Sequence, residues 1–145
     1  MGRWSARRDN VALSTTADFM TLISASARRA QVYLVEFAGM GTASAANSIQ
    51  VARSSGGVTG GGAITPEPIG GEQAAVASVV NTTWATQPTL DDVLKLLGVN
   101  ANGGIQRWQT TDPRAMFEIR NAATMSLRSA TGASLVSGYM EWDEP

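Results

Sequence analysis

Histidine and cysteine are both missing from these 145 residues. That removes the commonest general base, the commonest metal ligand, and every Ser-His or Cys-His nucleophile pair. Disulfides and cysteine metal sites are excluded as well. Carboxylates remain, in two groups: Asp91-Asp92, and Glu141, Asp143 and Glu144 near the end. Glycoside hydrolysis needs two carboxyl groups about 5–9 Å apart across a cleft. Neighbours in sequence and a terminal acidic group do not supply that on their own. Charge placement at a helix start and solubility account for them more simply. No Asp-x-Asp-x-Asp-Gly calcium loop is present. Gly56-Gly57-Val58-Thr59-Gly60-Gly61-Gly62 has the look of a phosphate cradle, but lacks a Gly-Lys-Ser/Thr ending and a following helix. No catalytic residue, metal site or cofactor is expected. The tryptophans Trp84, Trp108 and Trp142 suit either a sugar-binding platform, with Trp84 and Trp108 as its members, or core and subunit-interface packing.

Composition narrows the partners. A formal net charge of −1 leaves no basic field to hold nucleic acid. The basic residues Arg53, Lys95, Arg107, Arg114, Arg120 and Arg128 are dispersed rather than interleaved with aromatics. No apolar run approaches the roughly 18 residues that span a membrane, so no membrane partner is expected. The first residues carry arginines without an apolar core, unlike a secretory signal. A soluble protein made in a cytoplasm is expected. Charged residues make up only 16%, below the usual quarter. Such a chain suits either a small β domain rich in Ser and Thr or one partly covered by neighbours.

The elements that would position these residues read as strands. Residues 1–10, with Trp4 among Arg3, Arg7 and Arg8, read as a basic arm, and Trp4 as an anchor on a partner or a residue of a disordered tail. Residues 11–145 read as a single domain. Strands are expected over Phe19–Ser24, Gln31–Phe37, Ile49–Arg53, Ala75–Asn81, Ile105–Gln109, Met116–Arg120, Met125–Arg128 and Ser134–Trp142. Strict alternation over Gln31–Phe37 would put Gln31, Tyr33, Val35 and Phe37 on one face and Val32, Leu34 and Glu36 on the other. Gly56 to Gly62 reads as a mobile loop. Thr89–Leu97 fits the one short helix, capped by Thr89, or a β edge. Strands spaced by about 8–12 residues with turns between them indicate an all-β sandwich or barrel.

Across most of the chain beyond residue 10, the order of segments resembles a group of small structural proteins of tailed bacteriophages. The residues carrying the likeness are Gln31–Phe37, then Ile49-Gln50-Val51-Ala52-Arg53-Ser54-Ser55, the glycine-rich segment, and Ile64-Thr65-Pro66-Glu67-Pro68. Thr89, Gly103-Gly104-Ile105-Gln106-Arg107-Trp108, Leu127-Arg128-Ser129 and Glu141-Trp142-Asp143-Glu144 follow in the later half. The resemblance implies a β-sandwich with jelly-roll-like winding in a virion protein. The implied role is a decoration or cement protein, commonly trimeric, that clamps major capsid subunits from outside the shell. On that reading Trp4, Arg7, Arg8 and the loop glycines Gly56, Gly57, Gly60, Gly61 and Gly62 are the expected partner contacts. A glycan-binding module for host attachment, using Trp84 or Trp108, and a tail or head–tail connector component are the alternatives.

Overall fold

A computed structural model describes residues 2–70 and 76–145. The described residues form twelve strands: β1 (Gly2–Ala12), β2 (Met20–Ile23), β3 (Arg29–Gly39), β4 (Ala46–Ser55), β5 (Val58–Ile64), β6 (Glu67–Pro68), β7 (Val79–Thr86), β8 (Thr89–Asn100), β9 (Ile105–Gln109), β10 (Phe117–Arg120), β11 (Thr124–Thr131) and β12 (Leu135–Glu144). Two antiparallel sheets pack face to face as a β-sandwich. The first has the order β10-β3-β12-β1-β6, with β9 sharing the outer edge of β3. The second has the order β5-β7-β2-β11-β4-β8.

Period-two burial drives the arrangement. Along β12, Val136, Met140 and Trp142 turn inward, while Ser137, Tyr139, Glu141 and Asp143 alternate outward. Phe37 and Trp142 from the first sheet, with Met20, Leu22, Ile49, Met125 and Leu127 from the second, are fully buried. Each such side chain is worth about 1.5–3 kcal/mol relative to exposure. Phe19 meets Phe37 edge-on at 5.3 Å, a favoured aromatic geometry.

Several expectations need correction. Residues 2–12 are no arm but a strand of the first sheet, laddered against β12 with Trp4 opposite Trp142. Alternation in this stretch puts Trp4 and Ala6 inward and Arg3 and Arg7 outward, so even a polar sequence gains a core face. The expected single face along Gln31–Phe37 is broken. Trp142 pairs with Val32 and Glu141 with Leu34, leaving Tyr33 as an extra residue. This bulge switches the parity, so Val32, Val35 and Phe37 all join the core.

Thr89–Leu97 is an edge strand, part of β8, and the described residues contain no helix. Of the strand expected over Ala75–Asn81, Ala75 lies outside the described residues and β7 begins at Val79. The glycine-rich stretch is largely not a loop either, since Val58–Ile64 forms β5, pairing irregularly with β7. A β-carbon on Gly62 would sit 1.7 Å from the Thr83 hydroxyl. The missing side chain is what lets this edge strand lie against β7.

Candidate functional site

Two polar clusters stand out, one sealed and one open. The sealed one lies on the second sheet and is centred on Asp18, whose side chain is fully buried. Its Oδ2 accepts hydrogen bonds from the hydroxyls of Thr21 and Ser126, each at 2.5 Å. Its Oδ1 accepts from the Arg128 guanidinium at 2.6 Å. Arg128 also donates to the Pro88 carbonyl at 2.7 Å. Trp84 Nε1 donates to Thr21 Oγ1 at 3.0 Å, and the hydroxyls of Ser54 and Ser126 are 2.7 Å apart. Gln87 accepts from the Asp18 backbone N–H. The network ties β2, β4, β7 and β11 to the β7–β8 turn and to the segment leading into β2. A serine beside a carboxylate suggests nucleophile and base, but Ser126 has no exposed surface for a substrate to reach. What this arrangement can do is hold the sheet together.

The open cluster lies where two crossovers between the sheets run side by side. One, after β2, leads to β3; the other, after β10, leads to β11. Backbone hydrogen bonds stitch them: Asn121 N–H to Arg28 O, and Ser24 N–H to Ala123 O, each 3.1 Å. Ala27, Asn121 and Ala122 hold φ values of 57°, 55° and 63°. Left-handed alanines are uncommon, and such strain persists only where surrounding structure enforces it.

These turns project Arg28, Arg29 and Arg120 around an open hollow of about 420 Å³, completed by Ala27, Asn121 and Pro145. Glu118 serves two of the arginines. It lies 3.6 Å from Arg29 Nη1 and pairs closely with Arg120 Nε. The Arg120 guanidinium holds the Glu118 carboxyl below its usual range against a smaller opposing effect of burial, with Gln31 donating a further bond at 2.9 Å. Arg28, which is exposed, has no ion-pair partner among the described residues. Two further hollows share these turns. One, lined by Arg53, Asp91, Glu118 and Arg120, and another, lined by Ile23, Gly56, Gly57, Trp84 and Ala122, continue the concave surface.

The expected contact residues do not converge. Trp4 is in the core, with 6% of its surface exposed. Arg7 pairs with Asp9 at 2.9 Å on the outer face of the first sheet. Arg8 donates to the Phe19 carbonyl at 2.6 Å and lies over the Phe19 ring. Neighbouring charges on that outer face are likewise matched locally. Arg107 pairs with Glu36, Arg3 with Asp143, and the Tyr139 hydroxyl donates to Glu141 at 2.6 Å. Burial, then the bond to Glu141, pushes the Tyr139 hydroxyl up to about 12.

Gly57, by contrast, does meet one of the tryptophans. A β-carbon on Gly57 would lie 2.6 Å from the Trp84 ring, so the loop backbone closes over the indole. Gly60, Gly61 and Gly62 belong to β5 beyond it. Trp84 and Trp108 do not share a platform, because β7 and β9 are in different sheets. Trp108 stacks on Phe117 with centroids 4.0 Å apart and packs against the core. In the sequence Arg120 is one of the dispersed bases, and nothing there brings it together with Arg28 and Arg29. The adjacent pair Arg28-Arg29 at a turn was the one signal available. Among the described residues no group of three or more acids is placed to hold a metal ion. No family model, known protein or solved structure matches the chain.

Proposed function

We propose that the chain is a non-enzymatic structural protein of a virion, most specifically a decoration or cement subunit. In this role it binds the outside of a capsid shell, as a homotrimer, and stabilises contacts between major capsid subunits. The virion assignment rests on the resemblance of its segment order to small phage structural proteins. The observation that carries a binding rather than a chemical role is the contrast between the two clusters. The groups with catalytic potential are sealed, while a fixed end of the sandwich offers surplus cations beside open hollows.

Such a subunit would act by many weak contacts repeated over the shell, each adding to particle stability by mass action. The test uses virions whose genome encodes the chain. Mass spectrometry should find the protein in purified particles, and the purified chain should co-sediment with shells assembled without it. Light scattering should give a native mass three times that of the chain. Absence from the particle, or failure to rebind such shells, would overturn the assignment, and a monomeric mass would overturn the preassembled trimer.

A further inference from the structure

Resting on the binding role above, we infer that the hollow ringed by Arg28, Arg29 and Arg120 is an anion site that receives an acidic segment of a partner protein, side-chain carboxylates first. The charge count supports this. Three arginines line the hollow, and Glu118 beside it pairs with two of them, Arg29 and Arg120. Arg28 is left without an ion-pair partner among the described residues. A guanidinium offers a planar fork of donors matched to a carboxylate, and two such forks can grip consecutive acidic residues.

The backbone that carries these arginines is fixed at several points. Arg29 and Arg120 are cross-strand partners at the ends of β3 and β10. Arg28 sits in a turn fixed by its own N–H to Ala25 O at 3.1 Å and by its carbonyl accepting from Asn121. The left-handed alanines on both turns mark a backbone held in place by its surroundings. A backbone fixed in advance leaves less freedom to be lost on binding.

The hollow's size and surroundings favour a protein segment over other anions. At about 420 Å³ it has room for more than one side chain. Nucleic acid is disfavoured, because Asp91 and Glu118 line the adjoining hollow and would repel a phosphate track. An acidic peptide with a few carboxylates can engage the arginines alongside Glu118 and end before Asp91.

The experiment measures binding of the intact protein to a fluorescent hexaglutamate peptide at low salt, beside a hexaglutamine peptide, inorganic phosphate and a short single-stranded oligonucleotide. Hexaglutamate should bind, weaken as salt rises, and exceed the other three probes. Arg28→Glu should weaken it about tenfold or more. Lys95→Glu, the same charge change on β8, should leave it within about twofold. Unchanged circular dichroism in both variants keeps the comparison one of binding. Equal loss in both variants would mean net charge alone and overturn the site, as would no hexaglutamate binding or a preference for the oligonucleotide. This readout needs no capsid. Peptide binding without shell binding would therefore sink the virion role and keep the site, and shell binding without peptide binding would do the reverse.

Discussion

Asp18–Arg128 and Glu118–Arg120 are both ion pairs between one carboxylate and one guanidinium, yet they do opposite work. The first is sealed, with side-chain exposures of 0% for Asp18 and 11% for Arg128. The Asp18 carboxylate has donors on both oxygens, and the guanidinium makes a further bond to a carbonyl. The second is open, with 22% for Glu118 and 63% for Arg120, and its carboxylate is divided between two cations while a third waits beside them. Burial makes a pair costly to break, and exposure makes it cheap to rearrange. The same chemistry is architecture in one place and, in the role proposed above, a docking surface in the other.

Four changes would break or sharpen that contrast. The largest effect should come from deleting residues 1–10. Strand β12 would lose its β1 partner and the core would lose Trp4 and Ala6. A core tryptophan alone is worth about 3–5 kcal/mol, against a total of about 5–15 for a domain. The truncated chain should lose its cooperative unfolding transition by circular dichroism, whereas a detachable arm would leave the transition in place.

Next comes Asp18→Ala, which strands the mostly buried Arg128 and the hydroxyls of Thr21 and Ser126. It should cost about 3–5 kcal/mol in urea unfolding, and a loss below about 1 would mean that the sealed network is not structural.

Glu144 gives a smaller and pH-dependent effect. Burial pushes its carboxyl up, but bonds from the Ala77 and Ser78 N–H groups at 3.0 and 2.8 Å, and from Trp142 Nε1, more than offset this and hold it below the ordinary value of 4.5. A lowered carboxyl contributes stability above its unfolded value that is lost as pH falls through the folded one. Urea midpoints should drop below about pH 4.5. Glu144→Gln should cost about 1–3 kcal/mol at neutral pH and flatten that acid limb. An unchanged slope would remove Glu144 as its source.

Arg28→Glu should be the mildest for stability, within about 0.5 kcal/mol, because the side chain is exposed. A larger loss would place Arg28 in the architecture rather than on the docking surface.

The all-β class and most strands were legible because burial on one face leaves a period of two. Ile105–Gln109 coincides with β9, and the outward Glu118 and Arg120 follow from the same rule. The β3 bulge was not legible, since an extra residue at Tyr33 is set by pairing with β12, more than a hundred residues away. The polar β1 concealed its core face for a related reason. Its inward positions hold Gly2, Trp4 and Ala6, of which only Trp4 is large. Gly56–Gly62 misled because glycine signals mobility in isolation, whereas here it permits close approach to Thr83 and Trp84. The arginine end was hidden because Arg28-Arg29 and Arg120 lie some ninety residues apart and meet only through the crossovers.

Co-sedimentation of wild type and Arg28→Glu with shells assembled without the protein, at low and at physiological salt, tests the central claim most directly. Wild type should pellet with the shells. The variant, with an unchanged urea midpoint, should remain largely in the supernatant, with the difference greatest at low salt. If the variant pellets as well as wild type at both salts, the arginine end is not the surface by which this protein binds.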